Sequence, residues 1–163
     1  MRSSQSTLSL LLVLALFVWV GMVLAISFLE APLKFTAPHI TVPLGVGIGR
    51  IVFHALNKVE LGLSMLALVC AGWLRVPSRI WLTLLTALLV LLAQTLWLLP
   101  ALDVRAEALL AGSPALPNSQ HVVYIILEIT KVLALLTTGV LAFRQAQRRA
   151  LQPLATAPAA QLA

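Results

Sequence analysis

Four apolar runs, each long enough to cross a lipid bilayer, limit what this chain can fold into. Inside the hydrocarbon core every backbone amide must be hydrogen-bonded within the protein, which leaves helices and closed barrels as the stable choices. About 20 apolar residues in a helix match the thickness of that core. The runs predict an all-α, four-helix transmembrane bundle, with helices at about 8–30, 48–74, 79–99 and 120–143.

The composition agrees with a membrane protein, because 61% of the residues are hydrophobic and only 10% are charged. The net charge of +6 flanks the apolar runs and forms no soluble basic patch, so we expect the lipid bilayer as a partner and no nucleic acid. Residues 1–149 are predicted to form the membrane domain. Residues 150–163, rich in Ala and Pro, are predicted to be a disordered tail.

Six arginines that flank the apolar runs predict the topology. They belong to the amino terminus, the middle connection and the carboxyl-terminal flank, namely Arg2, Arg75, Arg79, Arg144, Arg148 and Arg149. By the positive-inside rule these segments are cytoplasmic, so the sequence predicts a multi-pass inner-membrane protein with both termini in the cytoplasm. Arg75 and Arg79 are expected to set the orientation, and the last three arginines to contact anionic lipid.

Two helix faces carry polar residues into the apolar runs. His121, Tyr124, Glu128 and Lys131 fall within about 80° of one another around the fourth helix. A second stripe, on the second helix, contains Arg50, His54, Asn57 and Glu60. Charged groups at these positions are costly unless they are paired or hydrated.

The two stripes are predicted to meet at the end of the bundle opposite the six flanking arginines. We expect them to line one outward-facing polar cavity there. Its predicted lining is Glu30, Arg50, His54, Asn57, Glu60, His121, Tyr124, Glu128 and Lys131. Within it, Lys131 is predicted to pair with Glu60, and Glu128 with Arg50 in preference to Lys34. The alternative is that these groups only hold the helical hairpins together through polar pairs.

Metal chemistry is an open alternative at the same end. His54, His121 and Glu128 are candidate ligands, and the two histidines are also candidate axial ligands of a haem. Dense ligand spacings such as H-E-x-x-H or C-x-x-C are absent from the sequence, so no metal is asserted and the cofactor is unknown.

The connections are predicted to be irregular. Residues 31–49 contain three prolines followed by Gly45, Gly47 and Gly49, which favours a loop folded over the bundle. Pro100 is predicted to end the third helix, and residues 103–120 to form a loop.

A resemblance rests on Pro32 after the first helix, on Gly49-Arg50-Ile51-Val52-Phe53, and on Asn57-x-x-Glu60. In these features the chain resembles small bacterial four-helix integral membrane proteins of unknown function, the transmembrane-protein and anthrone-oxygenase-like groups. The resemblance implies the four-helix membrane fold and supplies no catalytic residue.

Three functions are compatible with the sequence. The first is binding or transport of a small polar solute or ion by the outward-facing cavity. Four helices are few for a transporter, so a homodimer or a membrane partner is expected. The second is a small membrane redox or metal-dependent enzyme. The third is an accessory subunit of a membrane complex, in which the charges pair with that partner.

Overall fold

The computed structural model describes residues 2–112 and 119–155. These residues form helices and no strands, arranged as four long apolar segments, so the predicted all-α four-helix architecture is confirmed. The segments, called spans 1 to 4, are Ser4–Thr36, Val42–Leu74, Ser78–Leu110 and Gln120–Leu151. A helix of this length extends about 50 Å, whereas the hydrocarbon core is about 30 Å thick. All four are therefore long enough to cross a membrane and project from it.

The spans differ in how regular they are. Span 2 is one α-helix, Val42–Leu74, and span 4 lies within the α-helix Ser119–Ala155. Span 1 comprises the α-helix Arg2–Val23, a π-helical segment Leu24–Glu30, the short α-helix Ala31–Leu33 and the 3₁₀ turn Lys34–Thr36. Span 3 comprises the α-helix Ser78–Ala93, a π-helical segment Gln94–Leu98 and the α-helix Leu99–Leu110.

The spans alternate in direction, which gives the bundle two distinct ends. Ser9, Leu74, Val76 and Ala142 line one small cleft, so the start of span 1, the end of span 2, the start of span 3 and the end of span 4 lie together. We call this the arginine end. The chain segments of the predicted outer side meet at the opposite end, which we call the cavity end.

The half of the bundle toward the arginine end is a packed apolar core. Leu12 and Leu16 of span 1 pack there with Leu84 of span 3 and Leu135 of span 4. Span 2 contributes small side chains to the same cluster, Ala67, Cys70 and Ala71. Small residues let helices approach closely, which is how membrane helices gain van der Waals contact without a hydrophobic driving force.

The arginine end closes with a helix cap. Arg75 ends span 2 in the left-handed region, with φ 46°. Arg149 donates from Nη2 to the carbonyl of Leu74 at 2.8 Å, which satisfies one of the carbonyls that a helix leaves unpaired at its carboxyl terminus. Arg149, expected to contact anionic lipid, thus has a partner inside the protein.

Besides Pro43 in the first turn of span 2, two prolines lie in the interior of helical spans, where the sequence predicts a break. A proline ring clashes with the carbonyl four residues earlier and kinks a regular α-helix. Pro32 follows the π-helical segment Leu24–Glu30, and Pro100 follows the π-helical segment Gln94–Leu98. The wider turns accommodate the rings, so span 3 continues to Leu110. The predicted loop is therefore helical over 103–110.

Span 2 begins at Val42, six residues before the predicted start at 48. The Thr41 hydroxyl accepts a hydrogen bond from the amide of Leu44, and Pro43 occupies the first turn, where a missing N–H costs nothing. Gly45, Gly47 and Gly49 are therefore helical and not part of a loop.

Span 4 also exceeds its prediction. Its helix continues beyond residue 143 to Ala155. The predicted disordered tail is therefore wrong for residues 150–155. Residues 156–163 of that tail lie outside the described part of the chain, and so do residues 113–118 of the predicted loop.

Candidate functional site

A cavity of about 530 Å³ opens among the four spans at the cavity end. Ligand sites of small molecules usually have volumes of about 300–1,000 Å³. Span 1 contributes the segment from Ser27 to Phe35, and span 2 contributes residues from Gly45 to His54. Spans 3 and 4 complete it with Leu99–Leu109 and His121–Glu128.

The cavity walls are mainly apolar, which differs from the polar cavity that the sequence predicted. Phe28 and Phe35 approach from span 1, and Phe53 from span 2. Phe53 and Tyr124 meet edge to face, with their ring centroids 5.3 Å apart. The Lys34 ammonium lies 5.6 Å from the centroid of Phe35 and 5.4 Å from that of Phe53, which is cation–π distance.

A close helix contact shapes this wall. The Phe35 ring occupies the space that a β-carbon on Gly45 would fill, and the Lys34 ammonium lies 2.7 Å from the position of a β-carbon on Gly49. The glycines of span 2 therefore serve close packing of the end of span 1 against the helix.

A first set of charges, Arg50, His54, Asp103 and Glu107, lies at the cavity opening and is called the mouth cluster. Arg50 donates from Nε to Asp103 at 2.9 Å and from Nη2 to Glu107 at 2.8 Å. His54 Nε2 lies 2.8 Å from the same Asp103 carboxylate. All four side chains are partly open to solvent.

A second set lies near the middle of the spans and is called the buried cluster. It consists of Trp19, Glu60, Gln94, Glu128 and Lys131, all of them buried. The Trp19 indole donates to Glu60 Oε1 at 2.8 Å, and the Gln94 amide donates to Glu128 Oε1 at 3.2 Å. All four spans thus contribute to one polar network.

Lys131 is the centre of the buried cluster and is fully enclosed. Its ammonium lies 2.5 Å from Glu60 Oε1, 2.7 Å from Gln94 Oε1 and 3.2 Å from Glu128 Oε1. An ammonium has three hydrogens, so three acceptors match its hydrogen-bonding capacity. This network satisfies a charge that would otherwise be very costly inside a membrane.

Glu128 connects the two regions. Its Oε1 belongs to the buried cluster, whereas its Oε2 is buried with no hydrogen-bond partner among the described residues, and the side chain lines the cavity. The buried Oγ of Ser27, another lining residue, also has no partner in the described part of the chain. Tyr124, one helical turn before Glu128 on span 4, also lines the cavity. We call these three side chains the cavity floor.

The nine predicted site residues separate between these regions. Arg50, His54, His121, Tyr124 and Glu128 line the cavity. The other four do not belong to its lining. Glu60 and Lys131 lie in the buried cluster, Asn57 donates to the Thr95 hydroxyl at 2.8 Å, and Glu30 pairs with Lys34 at 3.4 Å.

The predicted pairing of Lys131 with Glu60 is confirmed. The predicted pairing of Glu128 with Arg50 is wrong, because Arg50 binds Asp103 and Glu107. Span 3 remains helical past Pro100, which places both acids, four residues apart, on one face toward span 2. Glu128 instead accepts a hydrogen bond from Gln94 and pairs with Lys131.

Four contributors were absent from the predicted site. The sequence predicts a loop at Asp103 and Glu107, although their spacing of four is a helical signal. Gln94 is an uncharged residue in the third apolar run, which gives only a weak signal for a site. Trp19 gave no signal, since its one polar atom is an indole N–H within an apolar run.

The candidate metal ligands do not form a ligand set. Across residues 2–112 and 119–155, no group of three or more His, Cys, Asp or Glu side chains is placed to hold a metal ion. His54 faces Asp103, while Glu128 is held by span 3 and Lys131. Comparison of the chain with protein-family models, curated proteins and solved structures found no match.

Proposed function

We propose that this protein is a membrane-embedded binding protein whose cavity takes a small amphipathic molecule. The observation that carries the proposal is a cavity of about 530 Å³ with mostly apolar walls. On its floor, Glu128 Oε2 has no hydrogen-bond partner in the described part of the chain. Apolar walls with few convergent polar groups are typical of small-molecule sites.

The walls favour an amphipathic ligand over the polar solute or ion that the sequence suggested. An ion or a very polar solute loses its hydration on binding and requires charged or polar partners around it. The charged groups at the opening are already engaged with one another, as Arg50 with Asp103 and Glu107 and as Lys34 with Glu30.

Packing favours binding over transport. Between the buried cluster and the arginine end, Leu16, Ala67, Leu84 and Leu135 are each 0% exposed. A solute crossing the bundle would have to separate these close-packed side chains after breaking the Lys131 network. We therefore assign uptake into the cavity, and not passage through the bundle.

We further propose that the arginine end is cytoplasmic, so that the cavity opens to the outer face of the inner membrane. The support is the basic residues of that end, including Arg75, Arg79 and Arg144, with no acid in the same segments. A reporter fused after residue 163 should be active only in the cytoplasm, and activity outside would reverse the orientation.

The binding proposal is tested by protection of a cysteine placed in the cavity. In a Cys70→Ala background, Leu109→Cys introduces a thiol on the lining, and Leu110→Cys introduces one on the adjacent residue outside it. Both variants in lipid nanodiscs are labelled with a maleimide while 1-methylnaphthalene is titrated. Saturable slowing at 109 alone is expected. Equal labelling rates at 109 with and without the probe would refute the proposal.

A further inference from the structure

We infer that Glu128 Oε2 and Ser27 Oγ together receive a hydroxyl group, so the ligand class is a neutral, mostly apolar alcohol or phenol. This inference rests on the proposed binding function and adds the chemistry of the ligand. It gives a role to two lining atoms that have no hydrogen-bond partner within residues 2–112 and 119–155.

The first step is the geometry of the Glu128 carboxylate, whose side chain is 1% exposed. Its Oε1 accepts from Gln94 at 3.2 Å and from Lys131 at 3.2 Å, which holds the group in place from the protein side. Its Oε2 has no partner among the described residues and belongs to a side chain that lines the cavity. A buried acceptor left unpaired is unfavourable, so a ligand that donates to it gains more than an ordinary surface hydrogen bond provides.

The second step is the nature of the polar group that fits the floor. A carboxylate oxygen only accepts, whereas a serine hydroxyl both donates and accepts. A hydroxyl on the ligand can donate to Glu128 and at the same time accept from Ser27, which satisfies both atoms with a single oxygen. The floor side chains all line the same cavity, so one ligand can contact them together.

The third step decides between a neutral group and a cation. Three bases line the cavity, Lys34, Arg50 and Arg105, against two acids, Asp103 and Glu128. The Lys34 ammonium already occupies cation–π positions on Phe35 and Phe53, and Lys131 already supplies an ammonium to Glu128. A cationic ligand would meet these like charges, and an anion would meet the Glu128 carboxylate. A neutral donor avoids both penalties.

The fourth step concerns the body of the ligand. Above the floor the lining is apolar and aromatic, including Phe28, Phe53, Leu99 and Ile125. These side chains favour a ring system or branched hydrocarbon, because burial of apolar surface is the main source of affinity in such walls. A compact apolar molecule with one hydroxyl therefore matches the whole cavity.

The test compares three probes of nearly equal size, 1-naphthol, 1-methylnaphthalene and the cation 1-naphthylmethylammonium. Each is titrated in the Leu109→Cys protection assay, with free concentrations corrected for partition into empty nanodiscs. We expect 1-naphthol to protect at about tenfold lower concentration than 1-methylnaphthalene, as a hydrogen bond to a buried carboxylate predicts. The cation should bind more weakly than 1-naphthol.

Two variants assign the preference to the floor. Glu128→Gln should reduce the preference for 1-naphthol to about threefold or less, since it removes the charge of the acceptor. Ser27→Ala touches no ion pair of the protein, so it should fold normally and reduce the preference in the same direction. Ile125→Ala is the control, because it trims the apolar wall and should weaken both neutral probes equally.

The outcomes separate this inference from the proposed function. If neither neutral probe protects residue 109, the binding function fails. If 1-methylnaphthalene protects as well as 1-naphthol, the cavity binds apolar molecules and the hydroxyl assignment is wrong. A preference that survives in both Glu128→Gln and Ser27→Ala, or tighter binding of the cation, would also overturn it.

Discussion

The buried cluster and the mouth cluster both contain acid–base pairs, but the two differ in how much water reaches them. In the buried cluster the Lys131 and Glu60 side chains are 0% and 4% exposed, whereas Arg50 and Glu107 in the mouth cluster are 34% and 62% exposed. Ion pairs in solvent contribute little because water screens them, while breaking a buried pair leaves a charge stranded. The comparison indicates that the buried cluster maintains the fold and that the cavity end is free to bind.

Lys131 provides the strongest test of this difference. Lys131→Met would leave Glu60 and Glu128 without their shared cation, so we expect a loss of about 3–5 kcal/mol in the free energy of unfolding. The measurement is thermal or denaturant unfolding in detergent, together with the yield of folded protein. Lys58→Met is the control, since Lys58 is exposed on span 2. Equal stability of the two variants would show that the buried cluster does not maintain the fold.

Trp19 tests whether the network extends to span 1. Trp19→Phe keeps an aromatic ring in the core but removes the indole N–H that donates to Glu60 at 2.8 Å. Hydrogen bonds to charged groups contribute about 1.5–3 kcal/mol, so we expect a loss of about 2 kcal/mol. Trp97→Phe is the matched change at an exposed position. If both variants have the same free energy of unfolding as the unaltered protein, the hydrogen bond is not part of the stabilising network.

Gly45 tests how tightly the cavity wall is packed. A methyl group at Gly45 meets the Phe35 ring, and we expect about 2 kcal/mol of overpacking offset by about 1 kcal/mol of helix propensity, a net loss of about 1 kcal/mol. Among residues 2–112 and 119–155, a methyl group at Gly47 meets only Leu110, at 3.7 Å, so Gly47→Ala should be neutral or stabilising.

The same glycine pair sharpens the comparison between fold and cavity. Gly45→Ala should weaken protection of residue 109 by 1-methylnaphthalene, since the Phe35 ring must move, and Gly47→Ala should not. Unchanged probe binding in Gly45→Ala would mean that Phe35 does not shape the site.

Arg50 is expected to show the smallest effect on stability. Arg50→Gln removes the two ion pairs that Arg50 makes in the mouth cluster, but these are partly open to solvent, where screening is strong. The unfolding temperature should fall slightly at low salt, and the difference should vanish at high salt. A loss comparable to that of Lys131→Met, or one that high salt does not reduce, would contradict the distinction between the clusters.

The apolar runs determined the architecture without reference to any contact. Because a bilayer admits only internally bonded backbone, the length and hydropathy of the four runs were enough to predict four helical spans. Depth along the helices was also readable. Lys131 and Glu60 lie at matching distances from the cavity end, and a buried ammonium needs a carboxylate at its own level, so their pairing followed from the sequence.

Sequence-based prediction was less successful at prolines and glycines, because each of these residues has two structural uses. Pro100 predicts a helix end, but a π-helical turn before it removes the clash and keeps Asp103 and Glu107 on span 3. That single continuation changed the partner of Arg50. Likewise, Gly45 is predicted to lie in a loop, whereas it is helical and serves close packing against Phe35.

The tertiary structure alone decided which polar residues share a site. A helical stripe fixes the direction of its side chains around one axis, but not the rotation of that helix against its neighbours. Packing brought the midpoints of spans 1, 2 and 3 to Lys131, so Trp19 and Gln94 joined Glu60 and Glu128. It also turned aromatic rings toward the space above Glu128 and produced a mainly apolar cavity. Sequence fixes the depth of a residue in a membrane bundle, because depth follows from counting along a helix; its neighbours depend on how four helices rotate to pack together.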